Sequence, residues 1–235
     1  MMRKFGGKIV AAGIAVSLTA LLGGCAATEQ VADVKPVAGF LPEPSLLAPG
    51  KSGETALVYL SPDARWGSYS KMILEPVTIW TGGDSRWDAV PAEQKEALAN
   101  TLYTRLREAA SQHCEIVTEP SPGAFRLRVA LVDADPANAT MNTISTYVPQ
   151  AHLISSLASS VFNDGVGFFA GTATVEGFAT DAQNGELLWQ GVDKRGGRNA
   201  IGSNTFDSWV DVDNAAKAWS EQLTARIAEL GVCPG

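Results

Sequence analysis

Gly171-Thr-Ala-Thr-Val-Glu-Gly-Phe-Ala-Thr180, then Asp181-Ala-Gln-Asn-Gly185, then Glu186-Leu-Leu-Trp-Gln-Gly-Val-Asp-Lys-Arg195, is the stretch that decides the fold. Two strand-like runs flank a short polar segment ending in Asn184-Gly185. Asn and Gly reach positive φ at low cost, and a tight reversal needs that freedom, so the stretch predicts a β-hairpin. Upstream, Phe125, Leu127, Val129 and Leu131 alternate with Arg126, Arg128 and Ala130. That period of two marks a strand with one buried face. Tyr69 to Trp80 is dense in β-branched and aromatic residues. Pro76 cannot donate to a ladder, so this strand is bent, bulged or at an edge there. Thr55–Leu60 and Ile116-Val117 read as shorter strands.

Two segments carry helical spacing. From Pro91 to Gln112, Leu98, Leu102 and Leu106 recur every four residues, with Lys95, Asn100 and Arg107 on other faces. From about Asp211 or Asp213 to Leu230, Ala215, Trp219, Leu223, Ile227 and Leu230 form a second stripe, and Gly231 suits the stop. Residues 136–169 mix Leu153, Leu157 and Val161 at helical spacing with abundant Ser and Gly, and read as a long excursion holding a short helix. The element order implies an α+β fold, an antiparallel sheet with two amphipathic helices packed on one face.

The N-terminus is read separately. Arg3, Lys4 and Lys8 precede an uncharged run from Ile9 to Leu22, fourteen residues long. A membrane-spanning helix needs about twenty, so this is a signal sequence rather than a span. Leu22-Gly23-Gly24-Cys25 resembles the lipobox of bacterial lipoproteins, with small residues before a thiol that accepts lipid. Residues 1–24 are expected to be a signal peptide, Cys25 the lipid attachment site, 25–38 a flexible tether and 39–235 one periplasmic domain. Ala26, rather than Asp, follows the Cys. In bacteria with two membranes that favours the periplasmic face of the outer membrane. The Pro/Gly-rich stretch from Gly39 to Gly53 is expected to clip onto the domain through Phe40 and Leu41.

The whole chain has 18 Lys+Arg and 25 Asp+Glu, a formal charge of −7, and loss of Arg3, Lys4 and Lys8 takes the mature chain to −10. Nucleic acid is excluded as a partner on that balance, because phosphate binding needs a positive footprint. With Cys25 consumed by lipid, Cys114 and Cys233 remain as a pair in an oxidising compartment. A disulfide is the natural reading, two buried free thiols the alternative. If both helices cover one sheet face in the same direction, their C-terminal ends meet. The two Cα atoms then come within the roughly 4.4–6.8 Å that a disulfide requires.

No constellation for catalysis stands out, nor any nucleotide-binding loop, and no cofactor or metal is expected. His113 reads as an exposed helix end and His152 lies in the excursion. Asp133 and Asp135 read as a turn before Pro136, with a cation site as the sharper alternative. Lys194, Arg195 and Arg198 form the densest basic cluster of the domain and are weak candidates for gripping a carboxylate or phosphate. Gly165-Val-Gly-Phe-Phe-Ala170 reads as a loop returning to the core.

Together, the lipobox followed by Gly39-Phe40-Leu41, Tyr69 to Trp80, Phe125 to Asp133 and Glu176…Asp181…Gly185-Glu-Leu-Leu188 resemble the bacterial lipoproteins called domain of unknown function 3313. The likeness runs from about Gly39 to Leu230. It implies an envelope lipoprotein and assigns no activity and no catalytic residues. The element order is also similar to small α+β domains of envelope machines, such as those of curli-secretion lipoproteins, a topological likeness that transfers no function. The expectation is a non-catalytic binding or accessory subunit, held to the membrane by its lipid and working with an envelope protein partner. An oligomeric structural or pore-forming component and a hydrolase of envelope polymers are the alternatives.

Overall fold

In the computed structural model the hairpin forms as its sequence predicts, from β8 (Thr172–Asp181) and β9 (Leu187–Gly197), with strands and helices numbered in chain order. Asp181 organises the turn: its Oδ1 accepts the N–H groups of Gln183 and Asn184 at 2.8 and 3.0 Å. Asn184 Oδ1 accepts the Glu186 N–H, and Gly185 sits at φ 77°. The residues described are 28–83, 87, 90–135, 172–197 and 210–234. Cys25, Arg198, His152 and the 136–169 excursion, with the Gly165–Ala170 stretch, lie outside them.

Around the hairpin stand β1 (Thr28–Gln30), β2 (Ala48–Pro49), β3 (Leu57–Leu60), β4 (Lys71–Leu74), β5 (Thr78–Ile79), β6 (Glu115–Ile116) and β7 (Ala124–Asp135). One sheet runs β2-β3-β9-β8-β7-β4-β6, with β1 on β9 and β5 on β7. The fold is α+β and the sheet mostly antiparallel, but the expected all-antiparallel sheet is corrected. β4 pairs in parallel with both β6 and β7, and β5 with β7. The cause is α1 (Ala92–Ser111), a crossover helix that returns the chain to the end it left, so the next strand runs the same way. Pro76 acts as expected. Leu74 faces Leu127 and Thr78 faces Ala130, so four steps of one strand meet three of the other and the strand breaks into β4 and β5.

The tether is corrected from Thr28 onward. β3 covers β9 only at Trp189–Val192, and β1 fills the open edge beyond it at Arg195–Gly197. Val31 follows, buried, and donates its N–H to the Lys194 carbonyl at 2.9 Å.

A 21-residue helix, α2 (Val210–Leu230), packs against α1. It ends in a Schellman closure, with Val232 N–H on Ile227 O, Gly231 N–H on Ala228 O and Gly231 at φ 64°. Leu102, Leu106, Trp219 and Ile227 share one buried cluster with the sheet residues Leu127, Leu131, Val175 and Ala179. Side chains alternate along a strand. Phe178 and Val192, on the other pleat, join Leu41 in a second cluster, with Phe40 packed edge-on to Phe178 and Trp80. The Pro/Gly-rich stretch is thus anchored through Phe40 and Leu41. It explains why β8 is buried on both pleats from Thr172 to Ala179.

Candidate functional site

Under α2 the sheet side of the larger cluster is not filled. A cavity of about 130 Å³ lies between that helix and β3, β7, β8 and β9. Its floor follows from a local rule of the hairpin. Gly177 of β8 and Gly191 of β9 are directly opposite one another. A Cβ at Gly177 would stand 3.2 Å from the Trp189 ring, and one at Gly191 only 2.8 Å from it. The missing side chains let the indole lie across both strands, a close approach that glycine in a strand interior permits. Trp66 and Trp219 add further walls, and half-buried Val58, Leu223 and Leu230 line its outer side.

Three polar side chains of the rim are committed internally, while the Trp66 indole N–H is buried without a hydrogen-bond partner among the described residues. Thr55 Oγ1 donates to the Leu57 carbonyl at 2.8 Å and Gln222 Nε2 to the Gly53 carbonyl at 3.1 Å. Arg226 pairs with Glu54 at 3.2 Å and Glu229 at 2.6 Å. The site offers shape and apolar surface.

Asp193 accepts a hydrogen bond from Trp219, one of the cavity's walls. This carboxylate is fully buried, yet four donors reach it. Oδ1 accepts the Gln30 amide and the Ala56 N–H (2.9 Å), while Oδ2 accepts Arg195 Nε (2.9 Å) and Trp219 Nε1 (2.7 Å). Of the three basic residues expected to grip an anion, Lys194 and Arg195 are described. Arg195 is consumed by Asp193, and Lys194, its neighbour on the strand, points to the opposite pleat, so the two do not converge. Arg198 lies outside the described residues.

On that other pleat Glu176 and Gln190 hold the N-terminal segment. Gln190 clasps the backbone of Glu43, accepting its N–H at 3.2 Å and donating to its carbonyl. Glu176 is fully buried, and its Oε1 accepts the Val37 N–H at 2.5 Å. Burial pushes its carboxyl from 4.5 up to about 7, with the Val37 N–H opposing. The folded chain therefore holds this proton more tightly than the unfolded one. The associated stability is complete below pH 4.5, is lost as pH rises to about 7, and amounts to up to about 3 kcal/mol. Glu176→Gln is expected to remove this dependence, being 1–3 kcal/mol more stable than the native chain at pH 8, on the order of that shift, and close to it at pH 5. Urea unfolding at both pH values checks it, and parallel losses in the two proteins refute it.

Cys114 and Cys233 are bonded, with Cα atoms 5.1 Å apart. Cys114 follows α1, and Cys233 lies just past α2, its N–H on the Tyr69 carbonyl at 2.8 Å. Tyr69 in turn donates its hydroxyl to Asp181 at 2.9 Å. Burial and the Asp181 carboxylate raise the phenol to about 12. Burial would raise Asp181, but the Asn184 and Gln183 N–H groups and the Tyr69 hydroxyl hold it below the ordinary carboxylate value. His113 is exposed at the end of α1. Asp133 sits at a register shift between β7 and β8. Among the described residues no group of three His, Cys, Asp or Glu side chains is placed to hold a metal, and no helix is long and apolar enough to cross a membrane.

The sequence reading missed Asp193, Glu176 and Gln190. A charged or amide residue inside an apolar strand was the available signal, together with the paired strand glycines.

A family model described as protein of unknown function (DUF3313) matches residues 37–223. No curated protein matches the chain. Among solved structures, a single-substitution variant of the PelC dodecamer from Paraburkholderia phytofirmans is similar over 74% of this chain and 95% of that one, at 11% identity and a TM-score of 0.38. The PelC dodecamer from the same organism is similar over the same shares, at 10% identity and a TM-score of 0.37.

Proposed function

We propose, for a chain that belongs to the DUF3313 family of proteins of unknown function, a lipid-anchored periplasmic subunit that binds rather than catalyses, with both helices closing the sheet face that holds its site. The observation that carries this reading is the cavity under α2, whose walls are mostly apolar and whose rim side chains Thr55, Gln222 and Arg226 are paired within the protein. Such a site can hold a ligand by exclusion of water. The Cys114–Cys233 bond supports an oxidising compartment. The lipobox at Leu22-Gly23-Gly24-Cys25 supports the anchor, and Ala26 supports the outer membrane. Several acyl chains on one residue, at about 0.8 kcal/mol per buried CH₂, make such anchoring effectively permanent. A partner protein in the envelope completes the proposal.

Cys25→Ala is expected to leave the chain unlipidated and poorly processed, with the protein lost from washed membranes. Fractionation and intact-mass measurement of the native and substituted proteins test this. A substituted chain that is cleaved and membrane-bound like the native one removes the anchor from the proposal.

A further inference from the structure

We infer that the cavity under α2 is a binding site for one aliphatic acyl chain, whether carried by a free fatty acid or as a tail of a membrane phospholipid. The inference deepens the binding role proposed above and rests on it, but not on the lipid at Cys25.

Three observations fix the ligand class. First, the walls are mostly aromatic and aliphatic side chains. Thr55, Gln222 and Arg226 on the rim are bonded to protein partners, and of the wall indoles that of Trp66 has its N–H buried without one among the described residues. A sugar, nucleotide or peptide would bury most of its polar groups here without replacement bonds, at a cost that disfavours them. A hydrocarbon loses nothing.

Second, the volume of about 130 Å³ is close to the roughly 150 Å³ of an apolar cavity that stays dry and takes benzene. It accepts the end of a chain, not a whole lipid. The half-buried Val58, Leu223 and Leu230 give the remainder an apolar exit between β3 and α2, which a compact solute would not need.

Third, the void is held open by construction. A Gly-Gly pair inside a sheet forgoes side-chain packing, yet here it seats Trp189 flat as a floor. Above it, the Trp219 indole is pinned by its bond to buried Asp193. Unfilled apolar space forfeits dispersion contacts, and a chain end restores them. The head group stays outside the cavity.

The test uses the mature chain with Cys25→Ser, exported behind an ordinary secretory signal so that it carries no lipid. Dodecanoate, kept below its micelle concentration, is titrated by calorimetry. In a second arm, transfer of a fluorescent-tailed phosphatidylethanolamine from phosphatidylethanolamine vesicles is followed. The expected result is saturable binding with one chain per protein in at least one arm, and the arm that responds identifies the source. Leu223→Trp, which adds bulk at the exit, should weaken that binding at least tenfold. Leu46→Trp adds the same bulk at an exposed position outside the cavity and should leave it unchanged. If the Leu223 variant does not fold, Val58→Phe blocks the opposite rim and carries the same expectation. Absence of binding in both arms overturns the inference. So does binding that survives the plugged rim, or uptake of toluene without either acyl source. Loss of membrane attachment in the Cys25→Ala experiment bears on the anchor alone and leaves this result standing.

Discussion

Replacing Asp193 by Ala is expected to destabilise the protein by about 3–5 kcal/mol, the range for breaking a buried ion pair from one side. The carboxylate is fully buried and is the common acceptor for Gln30, Ala56, Arg195 and Trp219. Removing it strands a guanidinium that is itself mostly covered, with a side chain 15% exposed, and leaves an indole N–H and a backbone N–H without acceptors. Each buried donor left unmade costs about 1–3 kcal/mol, so the total is set by the partners rather than by Asp193 itself. Asp193→Asn keeps one acceptor oxygen and should fall between the two. Lys194→Ala, one residue along on the opposite pleat, should be close to silent. Chemical unfolding of the three variants checks the ordering. Equal stability of the Asp193→Ala and native proteins would show that the four contacts are not made together. The change should also loosen β1 and the 53–56 segment first, because both reach the core through this residue, and hydrogen exchange at Gln30 and Ala56 reads that directly.

Loss of the disulfide is the second large effect. Cys114 and Cys233 are separated by 119 residues. In the chain-entropy model a loop of that size contributes about 4–5 kcal/mol. Cys114→Ala with Cys233→Ala should therefore lower the unfolding free energy by about that amount, less whatever residual order the reduced unfolded chain keeps. The bond ties the ends of α1 and α2 together, and Cys233 also donates its N–H to the Tyr69 carbonyl just before β4. The double variant should consequently fray from the end of α2. Equilibrium unfolding of the oxidised protein and the double variant measures the difference. A difference under about 1 kcal/mol would refute the loop-entropy account for this bond.

Much of the local structure was legible because it depends on neighbours in the chain. Asn184-Gly185 marked the hairpin turn, and the turn is built from Asp181 and Asn184 side chains bonding the next two or three residues. The stripe of Leu98, Leu102 and Leu106 marked α1, and Gly231 marked the end of α2. Pro76 marked a strand break through its missing donor. In each case the deciding interaction spans about one turn of chain.

Strand direction and the site were a different matter. Period-two patterning states which side chains face the core and is indifferent to whether the neighbouring strand runs up or down, so the parallel pairing of β4 with β6 and β7 was invisible. Lys194 and Arg195 looked like one basic cluster in sequence, and the pleat separates them, one to each side of the sheet. The tether from Thr28 had no periodicity of its own and joins the sheet only because β3 leaves part of β9 uncovered. The cavity depends on Gly177 and Gly191 falling opposite one another, which requires the register of two strands, and on Trp219 reaching Asp193 from a helix 26 residues away. By itself the sequence determined most of the elements, their turns and caps, and the acidic balance, because those rest on composition, covalent geometry and short-range contacts. The tertiary structure alone decided which strands run parallel and which polar residues are buried together. It also decided where space remains, because burial and register are properties of surfaces that meet only after the chain has folded.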